Sequence, residues 1–297
     1  MNATANYRSL LYLIIGLLNI AAFGCQPTVY LMPTPAIMAT GEINPFNINP
    51  NLEESNRVDV LFATNRKPIG GDDSRSYTIF PGDKLRLGIA HFTIGGAVTD
   101  WRQVFELSTS DEDRDRPALH LEDLQELAAI PLDDETAPLP KEVESFAAAV
   151  NDVLAGSLDK DIMVYVHGAN SNIYRAAAQA AQYHHFTGRN SMVLAFLWPS
   201  AENLLAYGTD VRHAAKSAPA FKRLITVLND YTTAEYINIL AYSAGSQIAS
   251  PGLAILGLET KGEKRRQLRL GEVYFAGADI GIDTFVENLQ TYVDIPH

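Results

Sequence analysis

The sequence predicts an α/β fold with a mostly parallel sheet flanked by helices. Three observations lead there. From about residue 140 onward, apolar runs of strand length alternate with longer segments whose apolar residues recur at helical spacing. The connections between them are short, as strand–helix–strand units in one sheet require. Polar or turn-forming residues also stand at the ends of four strand-like runs: His167-Gly168-Ala169-Asn170, Trp198-Pro199-Ser200, Ser243 and Asp279. In open parallel sheets the working residues lie beyond the carboxyl ends of the strands, so these four features are expected along one edge.

Residues 1–25 read as an anchor of signal or lipoprotein type. Arg8 gives a short positive region, and residues 10–23 form an apolar run interrupted by Gly16 and Asn19. That length suits a secretory signal core better than a full membrane span. The run ends at Ala22-Phe23-Gly24-Cys25, which resembles a bacterial lipoprotein cleavage site with Cys25 as the lipidated residue. Ala22 stands where leucine is usual, and a plain N-terminal membrane anchor is the competing reading. Cys25 is the sole cysteine, so disulfides contribute nothing. Residues 26–56, rich in Pro and Asn, are expected to be a flexible linker, because they offer little apolar area to offset their ordering entropy. The folded domain is expected over residues 57–297.

Within that domain, 58–66 (V-D-V-L-F-A-T-N-R) reads as a strand ending in a polar loop, and 78–80, 87–94 and 104–107 as further strands. Residues 119–132 are ambiguous. A helix follows Pro140, with Val143, Phe146, Val150, Val153 and Leu154 at helical spacing and Gly156 at its end. The strand before His167 gives way to an alanine-rich helix capped by Ser171 or Asn172 and stopped at Gly188. A strand over 192–198 and a helix after Pro219 come next. After the strand that leads to Ser243, Pro251 is expected to end or kink the next helix. The chain then shows a strand over 268–276, a short helix holding Phe285 and Leu289, and the start of another strand at 292–295.

A net charge of −12 argues against nucleic-acid binding, which needs clustered cations. The local basic run at 261–266 reads as a solvated turn. No glycine-rich phosphate loop and no metal-ligand spacing is found, so neither cofactor nor metal is expected. His184-His185 reads as structural or exposed.

The richest stretch is 236–250, Y-I-N-I-L-A-Y-S-A-G-S-Q-I-A-S. A serine between a buried strand and a helix is held on a sharp bend, its hydroxyl exposed and the next N–H free to face a developing oxyanion. The usual pattern is G-x-S-x-G; here Ala241 replaces the first glycine in A-Y-S-A-G. A Ser-x-Gly triplet alone is weak, since such a serine can equally be a helix N-cap.

Together, A-T-N-R at 63–66, V-H-G-A-N at 166–170, L-W-P-S at 197–200, Tyr207 with Asp210, and A-Y-S-A-G at 241–245 resemble a largely uncharacterised bacterial family in the α/β-hydrolase superfamily. The resemblance covers residue 58 to the C-terminus. It implies the α/β-hydrolase fold, with Ser243 as nucleophile and an oxyanion hole formed by Ala169 or Asn170 together with the N–H of Ala244. It also implies that His167 shapes its loop rather than acting as a base.

A serine needs a base, and the base an orienting acid, which in this superfamily follow in the order serine, acid, histidine. The only histidine after Ser243 is His297, the final residue. Asp279 is the better placed acid, its alternative being a helix cap or loop carboxylate; Asp294 sits inside the last expected strand. The sheet is therefore expected to lack its last strand and helix. Two functions follow from different classes. One is an envelope-anchored serine hydrolase acting on a small ester, thioester or amide. The other is a non-catalytic pseudohydrolase that binds a ligand or protein at the same edge.

Overall fold

The computed structural model describes residues 28–71, 74–96, 99–110, 115–134, 138–203 and 206–295. The anchor with Cys25, and His297, lie outside them. A long antiparallel ribbon opens the domain. In it β1 (Arg57–Ile69) pairs with β2 (Ser76–Ile94), and β2 pairs antiparallel with β3 (Leu119–Pro131). Four more strands run parallel to β1: β4 (Ile162–Val166), β5 (Met192–Phe196), β6 (Ile237–Tyr242) and β7 (Leu270–Ala276). Among the described residues the sheet has seven strands in the order β3-β2-β1-β5-β4-β6-β7. This is the predicted mostly parallel architecture, with an antiparallel wing.

Alternation along β1 sends Val58, Val60 and Phe62 to one face and Leu61 and Ala63 to the other. Each face has its own core. One is covered by α3 (Glu142–Gly156), α5 (Tyr207–Tyr231) and α6 (Ser246–Glu259). The other is covered by α2 (Trp101–Thr109), α4 (Ile173–Phe186) and the segment before β1, which contains a single-turn helix, α1 (Ala36–Ala39). Asn172 caps α4 by accepting the Arg175 N–H at 2.7 Å, and Gly188 follows its end at φ 75°.

Several expectations need correction. Residues 104–107 belong to α2, not to a strand. Asp100 and Gln103 form a reciprocal capping box there, which satisfies orphan donors at the helix start. The two runs at 78–80 and 87–94 are one strand, β2, and 119–132 resolves as β3. Both prolines lie inside helices, Pro219 in α5 and Pro251 in α6, since burying the flanking side chains outweighs one missing helical hydrogen bond.

Residues 28–56 are not a free linker: Tyr30 bridges to Ala118, and Leu31, Met38 and Phe46 are buried. Its few apolar side chains find shaped sites, with Phe46 packed among Trp101, Phe105 and His185. Its asparagines supply local bonds, Asn44 capping the Pro45–Asn47 turn and Asn49 reaching the carbonyls of Gly188 and Arg189 at 3.1 Å.

Residues 292–295 form helical turns rather than a strand, with Val293 N–H donating to the Leu289 carbonyl at 2.9 Å. The basic run is α7 (Glu263–Arg266), and Arg265 is no free cation. It donates to the Gly257 and Thr291 carbonyls at 2.6 and 2.7 Å and pairs with Asp294. A last helix, α8 (Ile282–Leu289), has no buried residue.

Candidate active site

The four features expected along one edge do lie there, following the carboxyl ends of β4, β5, β6 and β7 in the parallel part of the sheet. Ser243 directly follows β6 at φ 51°, left-handed backbone that a non-glycine residue adopts at a cost of about 1–3 kcal/mol. A single turn, Ser243–Gly245, leads into α6. The bend is forced tight, since a Cβ on Gly245 would stand 2.4 Å from the Val166 carbonyl oxygen. Ala241 is fully buried, so the alanine in place of the usual glycine is accommodated. The competing role is absent: Ser243 makes no capping hydrogen bond, and Ser246 Oγ instead donates back to the Ser243 carbonyl at 2.7 Å.

The turn after β4 closes on this bend. A Cβ on Gly168 would sit 3.2 Å from both the Ser243 Cβ and the Tyr242 ring, so a side chain there would press the two turns a few tenths of an ångström apart. Next along, Asn170 is held at φ 54°, and its N–H donates to Asp210 Oδ2 at 3.3 Å. That separates the two oxyanion candidates. The Asn170 N–H is already engaged, while the Ala169 N–H has no partner among the described residues. Ala244 sits second in the turn, where helix-start donors lack intrahelical acceptors.

A buried polar lattice holds this turn. Asp210, 1% exposed, also accepts the Ala201 N–H and, at 3.4 Å, the Ser200 hydroxyl. Ser200 Oγ in turn accepts the Ser171 N–H at 3.1 Å. Arg66 is wholly buried and donates to the Trp198 and Ser171 carbonyls, each at 3.0 Å, and to Glu202 at 3.1 Å. Burial brings its pKa down to about 10, still cationic at neutral pH. His167 is fully buried and stacks on Trp198 at 5.2 Å, and its Nδ1 lies 2.7 Å from the Gly168 carbonyl oxygen. Burial, with the Arg66 charge beside it, lowers its pKa to about 3. It is therefore neutral and structural at physiological pH.

Asp279 follows β7 and meets the serine bend through its backbone, its N–H reaching the Ser243 carbonyl at 3.2 Å and Ser246 Oγ at 3.0 Å. Its carboxylate accepts the Tyr207 hydroxyl at 2.5 Å, and Tyr207 accepts from Gln247, one helical turn beyond Ser243, at 3.0 Å. The bond to Asp279 raises the Tyr207 pKa. Asp279 is not a helix cap: Gly281 occupies that position without a side-chain bond. Asp294 is exposed and paired with Arg265, which lowers its pKa.

Among the described residues no histidine hydrogen-bonds to Ser243 or Asp279. His213 contacts the Pro199 carbonyl at 2.7 Å, His184 the Ser191 carbonyl at 2.9 Å, and His185 the Ser108 hydroxyl at 2.7 Å. The pair at 184–185 is thus structural, with His185 buried and His184 half-buried at the end of α4. Among the described residues no cluster of His, Cys, Asp or Glu is arranged to hold a metal. A half-open pocket of about 440 Å³, lined by Arg57, Val58, His184, Arg189 and Met192, lies at the amino ends of β1 and β5, away from this edge.

Residues 142–295, which include β4 to β7 and every feature of the edge except Arg66, match the family described as alpha/beta hydrolase of unknown function (DUF900). The chain belongs to that family. No curated protein and no solved structure matches it. β1 to β3 lie outside the matched region, complete the seven-stranded sheet of this chain and bring in Arg66. Sequence reading quoted Arg66 as part of A-T-N-R without giving it a role; a charged residue closing an apolar strand was the available signal.

Proposed function

We propose that this chain is a serine hydrolase acting by acyl transfer on a small ester, thioester or amide, held at the bacterial cell envelope by its N-terminal anchor. The observation that carries the reading is Ser243, left-handed at the β6–α6 bend with its side chain free of capping and the Gly168-Ala169 turn packed against it. Its hydroxyl attacks the substrate carbonyl, and the N–H groups of Ala169 and Ala244 receive the oxyanion. Asp279 is the carboxylate placed to orient a base for the serine proton, and among the described residues no histidine supplies that base. Treatment with a fluorophosphonate probe tests this: adduct on the Ser243 peptide, absent from Ser243→Ala, is expected. An unlabelled, folded protein would sink the reading.

One observation favours a second reading, a pseudohydrolase that binds at this edge without turnover. The Asp279 carboxylate is occupied by Tyr207, and no described histidine approaches Ser243. Ester hydrolysis abolished by Ser243→Ala would exclude it. Lipidation at Cys25 is tested separately, by metabolic labelling with a palmitate analogue in wild type and Cys25→Ala. Among the described residues no helix is long and apolar enough to cross a membrane.

A further inference from the structure

A groove of about 600 Å³ runs along the α4 face of the sheet and ends beside the serine bend. Its apolar walls are Met32, Phe186, Leu240, Tyr242 and Ala276. Two of these fix its position relative to the chemistry. Tyr242 immediately precedes Ser243, and its ring lies against Gly168 in the candidate oxyanion turn. Ala276 ends β7, three residues before Asp279. Strand alternation puts Leu240 and Tyr242 on one face, so the groove reaches the residue next to Ser243, although Ser243 itself does not line it.

Three of the polar side chains along the groove are already engaged. Tyr165 donates to Gln179 Oε1 at 3.1 Å, and Gln182 Oε1 accepts the Met32 N–H at 2.5 Å. Burial raises the Tyr165 pKa to about 12, so no anion forms there at neutral pH. No basic side chain lines the groove to hold a phosphate or carboxylate. An apolar occupant is what such a lining accepts without stranding polar groups.

We infer that this groove is the acyl subsite of the proposed hydrolase, taking a medium-length aliphatic acyl chain whose carbonyl end lies at Ser243. The inference rests on the serine-hydrolase reading for its orientation, though not for occupancy. The volume admits a chain well beyond acetyl. Transfer of those additional methylenes from water gives the specificity.

Two measurements on the full chain test it and separate its failure from that of the parent reading. In the first, kcat/KM is compared for p-nitrophenyl acetate and p-nitrophenyl octanoate. The octanoyl ester is expected to be preferred by roughly 10- to 100-fold, given the apolar area it buries. Ala276→Trp, which fills the groove at its serine end, should remove that preference, lowering octanoate turnover far more than acetate turnover. In the second, a dansyl-undecanoate probe is titrated into Ser243→Ala; saturable binding is expected, weakened at least tenfold by adding Ala276→Trp. Leu240→Gln, a milder change in the groove floor, serves if the tryptophan variant does not fold by circular dichroism.

Probe binding without turnover of any ester would uphold the groove and overturn the hydrolase. Equal turnover of both esters, or a preference untouched by both variants, would overturn the groove and leave the hydrolase standing. Absence of saturable probe binding would overturn the groove as well.

Discussion

Two halves of the same sheet edge are built differently. Around the ends of β4 and β5, His167, Trp198, Ser200, Asp210 and Arg66 are all buried, and each is held by hydrogen bonds or stacking to its neighbours. Around the end of β7, the Asp279 carboxylate rests on an exposed tyrosine, and α8 beyond it has no fully buried residue, only Phe285 and Leu289 half-buried against the core. The groups that would stabilise an oxyanion are therefore fixed before substrate arrives, whereas the group that would orient a base sits in a lightly packed surround. Fixed donors are what electrostatic stabilisation of a transition state needs. A carboxylate bonded to a phenol can exchange that partner at little structural cost.

The largest effect expected is on acid stability, through His167 in the packed half and the His184-His185 pair at the end of α4. His167, His184 and His185 are buried neutral, with pKa values lowered to about 3, to about 4, and well below 6.5 respectively, chiefly by desolvation. Below pH 6.5 the unfolded chain binds protons that the folded chain does not, so stability falls as pH falls toward the folded values. Each histidine loses about 1.6 kcal/mol between pH 6.5 and 5, so up to about 5 kcal/mol is lost in all, less what is returned by His91, whose pKa the bond to Asp59 raises. Denaturant melts across that range should show the loss. His167→Gln and His184→Gln, if folded, should flatten it.

Next is Arg66→Ala. It strands the Ser171 and Trp198 carbonyls and leaves Glu202 without its buried partner. A loss of about 3–5 kcal/mol in urea unfolding is expected, with the Ser243 edge disordered. Gly245→Ala should cost about 1–3 kcal/mol, because the added methyl meets the Val166 carbonyl oxygen and pushes α6 away from β4. In the light half, Val286→Ala on exposed α8 should change stability by no more than about 0.5 kcal/mol. If Val286→Ala proved as damaging as Gly245→Ala, the contrast between the halves would fail.

What sequence made legible follows the same division. The strand before His167, the alanine-rich helix with a cap at Ser171 or Asn172 (the latter forms it), and the serine bend all announced themselves, because local propensity and tertiary packing agree there. Residues 104–107 misled because an apolar stretch that short fits either period; Asp100 and Gln103, three apart ahead of it, held the helix signal. The segment before β1 looked like a tether by composition, but Phe46 alone enters an aromatic slot built from residues far along the chain. No local pattern encodes such a slot. The role of Asp210 was hidden likewise, since a carboxylate that ties together turns after β4 and β5 can be recognised only once those turns are adjacent. At 292–295 the alternation suited a strand, yet the Arg265 bond to the Thr291 carbonyl and its pairing with Asp294 fold the segment into turns.

The claim most worth testing is that the oxyanion half is preformed around Ser243. A crystal structure of the fluorophosphonate adduct answers it directly. The account predicts a phosphorus bonded to Ser243 Oγ with its phosphoryl oxygen about 2.7–3.1 Å from the N–H groups of Ala169 and Ala244, and the Asp210 lattice unmoved. A phosphoryl oxygen turned to solvent, or a 168–171 turn rebuilt around the adduct, would contradict it.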